Sequence, residues 1–320
     1  MKKHPFLLAL WSALYVLVGS YAITVTGSII LRTIFNEETA LVAFINSILH
    51  ITILPALVLL PVTLFVRRWG LSLLLIPPVI FFAVAFLPHL LPKTIEPPPQ
   101  NAPQLRIMTF NLLAHNRDFT DVIAILRESE ADIIALQEVS IQAADAIQSH
   151  LTALYPYQVI YPGGIPGIGI LSKYPITDEV VWRTVLQQQR VMIDWNGRDL
   201  VVYNVHPMTP ISSGGFNGRN REIADILARI ALEEHPVLLV GDFNMTDLAD
   251  PYRDITAQFE DAYHIAGQGI GYTYFLRGIP LLRIDYLFYR APFRAFSARV
   301  GKEGGGSDHR PLIVSLALEQ

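Results

Sequence analysis

Six short motifs between Thr109 and His309 carry side chains suited to phosphate chemistry. They are Thr109-Phe110-Asn111, Leu136-Gln137-Glu138-Val139, Asn204-Val205-His206, Gly241-Asp242-Phe243-Asn244, Arg283-Ile284-Asp285-Tyr286 and Ser307-Asp308-His309. Glu138 directly follows an apolar run, so its carboxylate projects from a strand end, where a hard divalent cation finds an oxygen ligand. The plain alternative is a helix-start Glu favoured by the helix dipole. Asp242 and Asn244 flank Phe243 on an extended segment and point the same way, so together they can orient a water and hold a phosphate oxygen. The alternative is an Asx turn closing a strand. Asp308 and His309 follow Gly304-Gly305-Gly306, which let the backbone approach a ligand; the alternative is a flexible loop with a solvated Asp-His pair. Asp285 can fix the tautomer of His309 and favour its charged form, or it can pair with Arg283 or another arginine. His206 ends a strand-like run before Pro207, a place where a lone histidine is more often structural.

Delivering these groups to one place requires strands that end together. Residues 105–111, 132–136, 167–172, 180–186, 191–195, 200–205, 236–240, 284–289 and 312–318 are β-prone or apolar runs of strand length. Residues 118–129, 140–154 and 220–232 have helical spacing, with Asp118 or Thr120 capping the first. Asn196-Gly197 between two strand runs signals a hairpin. Strands alternate with helices, yet hairpins occur too. The expected fold class is therefore an α/β sandwich with mixed sheets.

Ahead of this domain the chain changes character. Its 320 residues are 52% hydrophobic, and the positive mean hydropathy of +0.37 comes from the stretch before residue 93. Residues 5–31, 39–66 and 69–92 contain no Asp, Glu, Lys or Arg. Each run exceeds the ~20 residues that cross a bilayer core. Residues 1–92 are thus expected to be a three-helix transmembrane segment with spans at about 6–31, 41–66 and 70–91. Pro55, Pro61, Pro77, Pro78 and Pro88 would kink or shorten these helices. Lys2, Lys3, Arg67 and Arg68 favour the cytoplasmic side, which puts everything after residue 92 outside. The alternative for the first run is a signal peptide cleaved near Ser20-Tyr21-Ala22, and it leaves that placement unchanged.

Residues 93–104, with Glu96-Pro97-Pro98-Pro99-Gln100, read as a semi-extended linker that holds a domain spanning 105–320 off the bilayer. The chain has no cysteine, which excludes disulfides, zinc-thiolate sites and a thiol nucleophile. Residues 101–320 carry 18 Lys and Arg against 25 Asp and Glu, a net of −7. That domain lacks the basic footprint of a tight nucleic-acid binder, so nucleic acid is the less favoured partner.

In order and co-occurrence the six motifs resemble the endonuclease/exonuclease/phosphatase superfamily over about residues 104–318. Gly169-Ile170-Leu171-Ser172-Lys173-Tyr174-Pro175 looks like the family's middle strand motif, and Tyr272-Thr273-Tyr274 its Thr-aromatic motif. The resemblance implies a four-layer, DNase I-like sandwich with the site at one edge. It implies Glu138 as the main ligand of Mg²⁺ (or Mn²⁺), Asn111 in the metal–phosphate cluster and Asp308 as a further acidic ligand. It implies Asp242 orienting or deprotonating the attacking water, Asn244 holding phosphate, Asp285 orienting His309, and His309 and His206 contacting phosphate oxygens. Where family nucleases often carry an acid shortly after the first Asn, this chain reads Leu112-Leu113-Ala114-His115-Asn116, and Asn116 is the candidate in its place.

Three spans joined to such a domain resemble the teicoplanin-resistance-type membrane phosphatases of bacteria. That resemblance implies a multi-pass protein of the cytoplasmic membrane whose external domain acts on a lipid-linked phosphate or pyrophosphate. A short tether keeps the site where such a substrate is concentrated. The loop 208–217 after His206 is a candidate to meet lipid or leaving group, or else a plain flexible loop. Arg219 and Arg221 are candidate phosphate clamps, with a solvated helix face as the favoured alternative.

Overall fold

The structure, a computed structural model, describes residues 5–319 and divides into two compact units, Met1–Leu91 and Pro92–Gln320. The first unit is helical: α1 (Pro5–Phe35), α2 (Ala40–Thr52), α3 (Leu54–Phe65), α4 (Trp69–Ala85) and α5 (Leu87–Leu90). Thr39 caps α2 by accepting from Val42 N. Pro55 sits in the first turn of α3, where its missing N–H costs nothing, and the chain bends by 52° between α2 and α3. Among the described residues only Ala9–Phe35 is a single helix long and apolar enough to cross a membrane. The bent α2–α3 pair makes a second span if counted as one, and α4, at 17 residues, falls short. The three expected spans thus reduce to one or two by length and composition, because prolines divide the apolar sequence into shorter helices. Lys2 and Lys3, used for orientation, lie outside the described residues.

The second unit is built in chain order from β1 (Gln104–Asn111), α6 (Thr120–Glu128), β2 (Ile133–Gln137), α7 (Ile141–Leu151), β3 (Tyr157–Tyr161), β4 (Ile168–Ser172), β5 (Ile176–Arg183), β6 (Gln187–Asp194), β7 (Asp199–Val205) and α8 (Ser213–Ile230). It continues with β8 (Val237–Asp242), α9 (Asp250–Thr256), β9 (Glu260–Asp261), α10 (Ala262–Ala266), β10 (Tyr274–Leu276), β11 (Ile279–Leu282), β12 (Asp285–Tyr289), β13 (Phe293–Val300) and β14 (Leu312–Leu318). One six-stranded sheet has the order β13-β14-β1-β2-β4-β3 and the other β5-β6-β7-β8-β12-β9. Both are mixed, with one parallel pair each, β1–β2 and β7–β8.

Alternation along the strands separates three cores. Ile107, Ile133 and Ile170 of one sheet meet Val191, Val202, Val240 and Leu287 of the other. Met108, Phe110 and Leu136 face α6 and α7 through Val122, Leu126 and Ile147. Val205, Leu239, Phe243 and Phe288 face α8 and α9 through Ile223, Ile226 and Ile255. Two mixed sheets packed face to face, with helices outside, make the four layers of the expected sandwich.

A buried amide knot ties the sheets together near their working edge. Asn204 Nδ2 donates to the carbonyls of Leu136 (3.1 Å) and Gly169 (2.9 Å), while its Oδ1 accepts from Gln137 Nε2 at 2.7 Å. The linker docks on its own domain. Arg294 donates to the carbonyls of Glu96 and Pro97, both at 3.1 Å, and Leu318 N donates to Pro103 O. Over that stretch it is fastened along β13 and β14 rather than free, as a spacer would be.

Candidate active site

Strand directions decide where the six motifs go. β1 and β2 run parallel and end at Asn111 and Gln137, so Asn111 and Glu138 emerge together. β14 runs antiparallel to β1, which returns the Ser307–His309 loop to the same edge. In the second sheet β7 and β8 are parallel, with Val205 paired to Gly241, so His206 and Asp242 emerge side by side. β12 is antiparallel to β8, and its first residue, Asp285, pairs with Asp242. Backbone geometry is specialised here. Glu138 and Asn244 hold left-handed φ values of 54° and 49°, and strain of this kind is stored at functional sites. At Gly241 an added Cβ would lie 2.0 Å from Val205 O, so only glycine lets β8 approach β7 here.

Asp242 is the hub. Its Oδ1 accepts from Asn244 N at 2.9 Å, and its Oδ2 accepts from Asn111 Nδ2 at 3.0 Å. His206 Nε2 and His309 Nε2 each lie 3.7 Å from that same Oδ2. Glu138 Oε1 stands 3.8 Å from His206 Nε2 and accepts from Asn111 Nδ2 at 3.2 Å, while its Oε2 accepts from Ala114 N. His206 Nδ1 contacts Ile165 O at 3.2 Å; a carbonyl only accepts, so Nδ1 carries a proton and Nε2 faces the carboxylates. His309 Nδ1 donates to Asp285 Oδ2 at 2.8 Å. Thr273 Oγ1 accepts from Ile284 N and Asp285 N, which fixes the start of β12. Tyr274 packs edge-on against His309, ring centroids 5.3 Å apart. Beside Asp308 and His309 opens a cleft of about 680 Å³ that Phe275, Arg277 and Arg310 also line.

The electrostatics follow from crowding acids in a dry place. Burial, reinforced by the neighbouring Asp285, pushes the Asp242 carboxyl up. Asp308 is raised by burial, with smaller contributions from Glu138 and Asp242. Burial works against charge on His309, but Asp285 and then Asp242 override it and raise the imidazole to about 10. This histidine is therefore a cation at neutral pH.

Buried Asp242, Asp285 and His309 each offer a ligand atom within 4.8 Å of the others, a group able to hold a metal ion. Asp285 Oδ1 is buried and receives no hydrogen bond, an acceptor left for a cation or a ligand. The donor set is hard oxygen and imidazole, which suits a divalent cation. His309 is charged and spends Nδ1 on Asp285, so it is the poorest ligand of the three. The better cation seat lies among the carboxylates.

The structure brings Asn111, Glu138, His206, Asp242, Asn244, Asp285 and His309 into one cluster, and His309 with Asp308 also lines the cleft beside it. Asn244 presents its amide to Pro207 O at 2.9 Å, which braces the loop after His206. Asn116 is occupied elsewhere, donating to Gly305 O at 3.0 Å and so pinning the glycine loop. Arg283 does not pair with Asp285; it is buried against Asp261 (2.6 Å) and Asp247 (3.3 Å). Arg219 is buried rather than solvated, its Nη1 3.5 Å from Asn244 O, whereas Arg221 is exposed.

Sequence reasoning missed Glu222 and Gln188. Glu222 is fully buried and accepts from Leu186 N, Gln188 Nε2 and Met208 N. Gln188 brackets His206, accepting from its N–H at 2.9 Å and donating to its C=O at 3.3 Å. Only the apolar spacing of α8 could have flagged Glu222, which falls on its buried face.

Two mixed sheets whose strand ends gather paired carboxylates, amides and histidines define a phosphoester hydrolase of DNase I-like architecture. The chain belongs to the Endonuclease/Exonuclease/phosphatase family, whose model matches residues 108–309. Among solved structures it is similar to the endonuclease/exonuclease/phosphatase from Beutenbergia cavernae, at 20% identity and TM-score 0.59 over 68% of this chain and 72% of that one. The protein of that family from Bacteroides vulgatus aligns at 23% identity and TM-score 0.57, covering 68% and 100% of the two chains. Humanized TDP2 of D. rerio aligns at 17% identity and TM-score 0.56, covering 67% and 98%. No curated protein matches the sequence.

Proposed function

We propose that this chain is a membrane-anchored, Mg²⁺-dependent phosphohydrolase that acts on a lipid-linked phosphate or pyrophosphate at the outer face of the cytoplasmic membrane. One observation carries the chemistry: Asp242 lies 3.7 Å from two histidine Nε2 atoms and shares Asn111 with Glu138. The apolar helix Ala9–Phe35, with exposed Val16, Leu17 and Ile23, supports the anchoring.

Glu138, Asn111 and Asp308 would hold the cation, which when bound would withdraw charge from the phosphate oxygens. The chain's own groups do the rest. Asp242 lies where it can orient a water and take its proton, and its raised carboxyl suits that exchange. His309, kept charged by Asp285, offers Nε2–H to a phosphoryl oxygen as negative charge builds. His206 presents Nε2 to the same Asp242 oxygen and is held by Ile165 and by Gln188, which Glu222 anchors in turn. Phosphoryl transfer asks mainly for such positioning and charge stabilisation.

The test is phosphate release by the full chain in detergent, with and without Mg²⁺, from polyprenyl pyrophosphate, a phosphodiester lipid and DNA. Turnover of the first with loss on chelation is expected. Cleavage of DNA alone, abolished in Asp242→Ala, would replace this reading with an external nuclease.

A further inference from the structure

Three segments border the catalytic histidines, and they share two properties. The first leads into Ile165, whose carbonyl contacts His206 Nδ1. The second runs from Pro207 through Ile211 to Ser212, the N-cap of α8. The third is the β10–β11 hairpin, which starts at Tyr274, the residue bridged to His309. All three expose large aliphatic side chains: Ile165 at 50%, Ile211 at 88%, and the cross-strand pair Leu276 and Ile279 at 51% and 67%. All three also avoid negative charge. Residues 156–177, 207–221 and 262–284 contain no Asp or Glu, in a domain that has 25 of them. Arg221 and Arg277 stand exposed within these stretches.

Large exposed aliphatic side chains beside the histidines are poor design for a site facing water or nucleic acid, and they suit a phase that accepts hydrocarbon. Along these three segments no carboxylate repels phosphate headgroups and the arginines add attraction, while Asp121, Glu128 and Glu303 line the cleft beside His309. The same polypeptide carries a helix able to cross a bilayer, so that phase is within reach. We propose that this rim seats on a lipid surface, with Ile211 and the Leu276–Ile279 hairpin tip as its wedges, so that a phosphorylated amphiphile passes from the bilayer to His206 and His309 without crossing water. The substrate class that follows is one whose apolar chain stays in the membrane while its phosphate is cut. This inference rests on the phosphohydrolase reading of the site.

The absence of cysteine makes the test clean, because a single introduced thiol is unique. Ile211→Cys, Ile279→Cys and, as control, Leu232→Cys are each labelled with a polarity-sensitive fluorophore in the full chain. Each protein is reconstituted in phosphatidylethanolamine–phosphatidylglycerol vesicles. Leu232 is as exposed as Ile211 but lies beyond the far end of α8, about 27 Å along the helix at 1.5 Å per residue. Blue-shifted emission quenched by spin-labelled acyl chains is expected at 211 and 279 and not at 232. Unquenched, water-like emission at all three positions overturns the docking. In a second arm, Ile211→Ser/Ile279→Ser should lose about tenfold or more of its phosphate release from vesicle-borne polyprenyl pyrophosphate, the loss expected on withdrawing isoleucine from a lipid phase. Release from a short-chain, water-soluble isoprenyl diphosphate should stay unchanged. Equal loss on both substrates also overturns the docking. Quenched labels on a protein that hydrolyses nothing would leave the docking intact and sink the hydrolase reading instead.

Discussion

Replacing Asp285 by Asn tests the electrostatic core of the site with almost no change of shape. The carboxylate holds His309 Nδ1 at 2.8 Å and, with Asp242, raises the imidazole to about 10 against the burial that opposes its charge. An opposite charge at this range shifts a pKa by about 1–3 units, so His309 in Asp285→Asn is expected to titrate between about 7 and 9. Asp242 remains to hold it part of the way. A hydrogen bond to a charged group contributes about 1.5–3 kcal/mol, which bounds the rate loss at roughly 10- to 150-fold if the bond acts fully in the transition state. The assay is phosphate release from pH 6 to pH 10, beside an NMR titration of the His309 ring. The wild type should keep His309 mostly charged up to about pH 9 and lose charge only near pH 10, while Asp285→Asn should lose activity as pH rises through its lowered value. The raised pKa also has a stability sign. The pair's contribution is complete below the unfolded value of about 6.5 and is lost as pH rises through the folded value. An unmoved His309 titration together with an unchanged rate profile would refute the claim that Asp285 keeps this ring charged.

Other perturbations separate the site from its scaffold. Asn204→Ala strands the Gln137 amide and removes two donors from strand carbonyls, so a loss of about 2–4 kcal/mol is expected in denaturant unfolding, with no change in metal response. Glu222→Gln sets an amide against the backbone N–H donors of Leu186 and of Met208, the latter just after His206, and should lower kcat about tenfold with KM little changed. Asp261 lies buried against Arg283, which holds its carboxyl low although burial pushes it up. That pair stabilises above the unfolded Asp pKa of about 3.9 and fails as pH falls through the lower folded value, so thermal midpoints should drop below about pH 4. Asp261→Asn should abolish this part of the acid sensitivity while costing about 3–5 kcal/mol at neutral pH, measured by calorimetry.

The strand runs and the six motifs are legible in the sequence because apolar runs of strand length and their polar ends are local features. The Asn196-Gly197 turn is local too, and both residues take the positive φ of a hairpin turn. Other elements hide. Strand β13 carries a bulge between Ala295 and Ser297 that breaks its alternation. Helix α8 begins at Ser213, earlier than its apolar spacing suggests, because the Ser212 cap precedes a run of small and polar residues with no hydrophobic period.

Residue types and their order along the chain determined that this protein has strand-end carboxylates, amides and histidines in family order, an apolar N-terminal third and no thiol chemistry. Only the tertiary structure decided which groups meet. Strand direction puts Asp285 beside Asp242, Arg283 turns to Asp261 instead of Asp285, Asn116 goes to the glycine loop, and Glu222 closes on the His206 segment. Those pairings join residues up to 189 positions apart. They are set by sheet order and register, which arise from packing the whole chain and from no short stretch of it.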